Sequence, residues 1–172
     1  MVEMISHGTS FSRALALLLV TVYFLLCVSS PAEYHFIDAV NLIFHEAGHT
    51  LLMFFGTFLH ILGGSLLQVL IPVVLAGYFF LRQEYFSMGI LLLWVGQSMV
   101  NVSVYAGDAV RMALPLLGGD SAIHDWHAML DMLSLLEYTR VIALVIYLTG
   151  CIIGVLGVII AVRSLSETPR LS

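Results

Sequence analysis

Apolar residues run along this chain in long blocks rather than in alternation. Four of them, residues 14–28, 61–81, 86–106 and 141–162, carry almost no charge and are of the order of the ~20 residues that one bilayer crossing needs. They predict membrane helices, because a backbone in lipid must satisfy its own hydrogen bonds. A fifth block, residues 36–59, is equally apolar but contains Asp38, Asn41, His45, Glu46 and His49. Each of these is costly in hydrocarbon unless it faces protein or a water-filled cavity. Asp38, Asn41, His45 and His49 recur at spacings of three, four and four, so they fall on one face of a helix, the inverse of a soluble amphipathic helix. Block 86–106 repeats the feature, with Gln97, Asn101, Tyr105 and Asp108 spaced four, four and three and with Ser98 and Ser103 nearby. Two inward polar stripes predict either a hydrated or metal-bearing interior or side-chain hydrogen bonds that pair the helices.

Composition strengthens this picture. The chain has 172 residues, 60% of them apolar and 10% charged, against roughly 25% charged in soluble domains. A soluble globular domain is therefore nearly excluded. Six Arg, no Lys, a net charge of −5 and the lack of any basic run leave nothing to neutralise a row of phosphates, so nucleic acid is excluded as a partner. The predicted fold class is all-α: a polytopic helical membrane protein, one integral domain over residues 1–172. It has four full transmembrane helices plus a membrane-inserted helix over 36–59, hence four or five crossings. Residues 111–138 form a polar connection with a short amphipathic helix. Arg13 followed by an apolar run ending Val28-Ser29-Ser30-Pro31 also fits a cleaved signal peptide; the length of the run and the membrane character of the remaining chain favour a retained anchor. If 36–59 does not fully cross, Arg13, Arg82, Arg163 and Arg170 share one side against Arg111 and Arg140; if it crosses, the split is three and three. Arginine retention on the cytoplasmic side favours the first, and then 36–59 and 111–138 both open toward the outer face. Cys27 and Cys151 lie in apolar runs and read as small buried hydrophobes.

The chemistry centres on His45-Glu46-Ala47-Gly48-His49, an HExxH pattern. On a helix it sets two imidazoles one turn apart, about 40° from each other, able to share one zinc ion. Glu46 beside them can take a proton from water and pass it to a leaving group. The bland alternative, two satisfied helix histidines, conflicts with the cost of burying them in lipid. A catalytic zinc wants a third protein ligand. The candidates are Asp108, at the end of its stripe, and His124, with His127 behind them. Asp120 fits a helix cap, and Asp120 and Asp125 fit carboxylates that orient an imidazole from behind. Asn101 is a candidate for hydrogen bonding to substrate or oxyanion. Imidazole and carboxylate also suit iron, cobalt or nickel.

The run HEAGHTLLMFFGTFLHILGG resembles the opening of the site-2 protease family of intramembrane zinc metalloproteases, in which HExxH lies on a membrane helix and a later helix supplies an aspartate. The nearest counterpart is Asn101-Val-Ser-Val-Tyr-Ala-Gly-Asp108, without that family's proline or Leu-Asp-Gly order. HEAGH, LGGSLLQVLIPV, YAGDAVRMALPLLGGD and HDWHAML together are similar to a little-characterised family of small bacterial membrane proteins described as zinc peptidases. These resemblances imply a zinc peptidase of the bacterial cytoplasmic membrane acting on membrane proteins or peptides. Two alternatives stand beside it: a zinc-dependent lipid amidase or hydrolase, and a non-enzymatic metal transporter or structural membrane protein.

Overall fold

The computed structural model describes residues 2–115, 117 and 123–166, and the side chains from residue 10 onward within them. Among the described residues six α-helices occur in order: α1 Val2–Ser29, α2 Phe36–Leu52, α3 Thr57–Leu81, α4 Tyr85–Gly107, α5 Asp125–Met132 and α6 Thr139–Ser166. Short 3-10 turns, Met53–Phe55 and Leu136–Tyr138, precede α3 and α6, and no strand occurs among the described residues. Four helical stretches, Ser10–Ser29, Thr57–Leu81, Tyr85–Gly107 and Leu136–Ser166, are long and apolar enough to cross a bilayer. The molecule is an all-α polytopic helical membrane protein.

Missing Cβ atoms let the helices approach one another. A Cβ on Gly96 would lie 2.5 Å from the carbonyl of Gly150, and one on Gly89 2.6 Å from that of Gly157. Glycine pairs thus join α4 to α6 backbone to backbone, as small residues do where lipid offers no hydrophobic drive. The ring of Phe24 covers Gly154, and Leu17 and Phe24 of α1 close a core with Leu93 and Ala161. These pairings fix directions. α4 and α6 are antiparallel, and α1 runs with α4, since Arg13 sits over the Phe86 ring at 5.6 Å. Tyr147 donates to the carbonyl of Val28 near the other end. α3 returns antiparallel to α4, with Gln68 beside Ser98 and Asn101.

The C-termini of α1 and α4 and the N-termini of α3 and α6 therefore share one end of the bundle. It follows that α2, entered after Ser29 and left before Thr57, starts and finishes at that same end. Arg111 and Arg140 lie at this end, with Arg13, Arg82 and Arg163 at the other.

α2 is shorter than the apolar pattern suggests, ending at Leu52 rather than residue 59. The reason is local: after the 3-10 turn Gly56 takes φ +92°, a region open to glycine, and the chain reverses there. Gly63 and Gly64 lie inside α3, where a Cβ on Gly48 would strike the carbonyl of Gly63. The α2–α3 hairpin is in backbone contact at the HEAGH sequence.

Candidate metal centre

HEAGH occupies the last two turns of α2, and its two imidazoles face α3 and α5. Among the described residues one group of His, Cys, Asp or Glu side chains converges closely enough to share an ion: His45, His49 and Asp125, their ligand atoms all within 4.8 Å of one another. Nε2 of His45 lies 3.0 Å and Nε2 of His49 3.2 Å from the same Asp125 oxygen, Oδ2. Ligand atoms 2.0–2.1 Å from a tetrahedral zinc sit about 3.3 Å apart, close to the separation of Asp125 Oδ2 from each imidazole nitrogen.

The protons fit as well. Nδ1 of His49 lies 2.8 Å from the backbone carbonyl of His60, which can only accept, so this nitrogen carries the hydrogen. Nδ1 of His45 lies 3.3 Å from Oε1 of Gln68, again an acceptor. With a proton fixed on each Nδ1, both Nε2 atoms of the neutral rings aim lone pairs at a carboxylate oxygen. Three lone-pair donors facing one point repel unless a cation lies between them. Gly64 of α3 completes the cradle: a Cβ there would run into Nε2 of His45 and lie 2.6 Å from Nε2 of His49.

The third member of this group is Asp125, which the sequence pattern places behind an imidazole. Asp108 and His124, the two candidates for that position, pair instead with each other: His124 Nε2 is 3.4 Å from Asp108 Oδ2. The physical reason is that α4 ends at Gly107, so Asp108 caps the helix and its carboxylate turns to accept from the Leu114 amide at 2.8 Å. His124 is the N-cap of α5, its Nδ1 accepting from the His127 amide at 3.2 Å. Burial holds its pKa below the usual histidine range despite the adjacent Asp108. His127 lies outside the converging group as well, and its Nδ1 donates to the carbonyl of Ala109 at 2.8 Å. Asp120 lies outside the described residues.

α5 is held over the two histidines by its neighbours. Tyr105 Oη accepts from the Asp125 amide at 3.1 Å and donates to Oδ2 of the same residue at 3.2 Å. Trp126 Nε1 donates to Ser65 Oγ at 3.1 Å, next to Gly64. Burial pushes the Asp125 carboxyl up, but when Nε2 of a ring carries a proton in place of an ion, its hydrogen bond to Oδ2 outweighs the effect of burial, and the carboxyl is held at about 2. The bond to Asp125 conversely raises His49 above the usual histidine range, against its burial. Both shifts express a site that attracts positive charge.

The two polar stripes face each other, as their periodicity predicts, and they do so through direct hydrogen bonds. Asn41 donates to Gln97 at 2.7 Å, Gln97 donates to Asp38 at 2.8 Å, and Trp94 and Ser98 donate to Asn41. Asn101 is spent within this network, its Oδ1 accepting from Gln68 at 2.8 Å and its Nδ2 donating to Asp38 at 3.0 Å. Both ends of its amide are thus engaged with Gln68 and Asp38. Gln68 went unnoticed in the sequence because it stands alone on α3, without a periodic partner. The available signal was its cost: one amide in the middle of a 25-residue apolar helix calls for a partner. Glu46 is exposed, its carboxylate makes no hydrogen bond or ion pair among the described residues, and it lies near enough for its charge to act on His49.

Comparison of the chain with protein-family models, with curated proteins and with solved structures returns no match.

Proposed function

We propose that this chain is a membrane-embedded zinc metallohydrolase, a peptidase of site-2 protease type, whose metal is held by His45, His49 and Asp125. The observation that carries the reading is the convergence of three lone-pair donors whose protons are committed elsewhere, one residue from an exposed glutamate. Zinc there would supply Lewis acidity, polarising a substrate carbonyl and lowering the pKa of water. The chain's own residues do the rest. Glu46 has a free carboxylate to take a proton from water as the oxygen adds to the carbonyl carbon, and to return it to the amide nitrogen as the C–N bond breaks. α2 begins and ends at the bundle end bearing fewer arginines, so the centre opens at the outer face of what we take to be a bacterial cytoplasmic membrane.

Metal content per chain in detergent-purified protein tests the site. About one zinc is expected in the wild type and in Asp108→Ala and His124→Ala, and well under half in His45→Ala, His49→Ala and Asp125→Ala. Full zinc content in Asp125→Ala would remove the proposed third ligand. For the reaction, zinc-loaded protein in liposomes is given a fluorogenic transmembrane peptide and, separately, a fluorogenic N-acyl lipid amide. Peptide cleavage by the wild type and its loss in Glu46→Gln, with zinc content unchanged, are expected; a general base of this kind contributes about 10²–10⁴-fold. Cleavage of the lipid amide alone would move the substrate class. Undiminished turnover by Glu46→Gln would dismiss its role.

A further inference from the structure

Asp38 lies near the start of α2, two turns before His45, and makes no contact with the metal centre. It is nevertheless buried, and three N–H groups point at it: Gln97 Nε2 at 2.8 Å and Asn101 Nδ2 at 3.0 Å on Oδ1, and the backbone amide of His35 at 2.7 Å on Oδ2. A carboxylate of this kind has only acceptors to offer, and that fixes the direction of everything joined to it. Asn101 must turn its amide nitrogen to Asp38, which leaves its oxygen for Gln68. Gln68 must therefore donate to Asn101, and its oxygen is left facing His45 Nδ1. The hydrogen of His45 is thereby held on Nδ1 and the lone pair on Nε2, the atom aimed at the centre.

We propose that Asp38 is a positioning residue for the metal centre, acting through Asn101 and Gln68 to fix the tautomer and orientation of His45. The inference rests on the metal reading of His45, His49 and Asp125. Carboxylates that hold a ligating histidine usually touch it directly; here the charge is relayed across α4 and α3 by two amides. Asn cannot replace Asp at position 38 without conflict. Its oxygen would serve either the His35 amide or the pair from Gln97 and Asn101, and its NH₂ would meet donors on the other side. In the first case it would also offer Asn101 a donor, reversing the relay and turning an NH₂ of Gln68 toward His45.

The test uses cobalt(II) as the probe, titrated into metal-depleted full-length protein in detergent, with the visible absorption bands reporting affinity and coordination. Asp38→Asn is expected to weaken binding about 10–100-fold, as loss of a partner behind a ligating histidine does. Gln68→Glu puts a carboxylate directly on His45 Nδ1, and in that background Asp38→Asn is expected to change the affinity less than twofold. A residue that merely ties α2 to α4 would weaken binding equally in both backgrounds, and that result overturns the proposal. Wild-type affinity in Asp38→Asn also overturns it. Asn101→Leu interrupts the relay while leaving Asp38 and Gln68 in place, so it should give the same loss if Asp38→Asn does not fold; wild-type affinity there is again contrary. A wild-type protein that binds no cobalt and no zinc would instead refute the metal reading itself.

Discussion

Gly64 has no side chain, and that is its contribution to the centre. A methyl group at this position would occupy the space between the two Nε2 atoms, so Gly64→Ala is expected to abolish metal binding with all three ligands still present. Elemental analysis beside circular dichroism checks this, since helix content should not fall; full metal content in the variant would show that the ion sits elsewhere. Legibility at this scale tracks sequence distance. The pairing of His45 with His49 is visible in five residues because the helical repeat alone brings them together. Asp125 is invisible by that route: it is joined to the histidines by contact across 76 positions of chain from His49, and no local period encodes it. Asp108 looks the better ligand in the sequence because extending the α4 stripe by one step reaches it, and the helix stops one residue too soon.

Among the elements, α5 is the one whose placement decides the chemistry. It has eight residues, too few to hold a helical conformation alone in water. It is held by Trp126 on Ser65, His127 on the Ala109 carbonyl and Asp125 on Tyr105. Tyr105→Phe removes both hydrogen bonds to residue 125 while keeping the ring. Zinc affinity is expected to fall about tenfold, within the range for partners of metal ligands, as competition with a chelator would measure; unchanged affinity would mean that Trp126 and His127 suffice to dock the helix. The long helices are readable because apolar length is a one-dimensional property. The end of α2 is not, because residues 53–59 are as apolar as those before them, and the reversal depends on a single positive φ at Gly56.

For the whole molecule, the glycine contacts of α4 with α6, the packing of α1 and the return of α3 along α4 set four helix directions, and those directions place both ends of α2 on one side. In a cysteine-free background, a cysteine at Arg111 is expected to react with a membrane-impermeant maleimide from outside intact cells, and one at Arg82 only after lysis. Equal labelling of both from outside would reverse the assigned orientation or place α2 across the membrane. The arginine count points the same way, but it needs α2 to be a non-crossing helix, and only the packing supplies that. The separation of Asp125 from HEAGH has one more consequence, for the order of synthesis. A ribosome delivers α2 early and α5 only after two further membrane helices, so a growing chain carries His45 and His49 before Asp125 exists to join them. On the proposed metal reading, the centre would come into being as a late event of biogenesis, when the scaffold that confines it is almost complete.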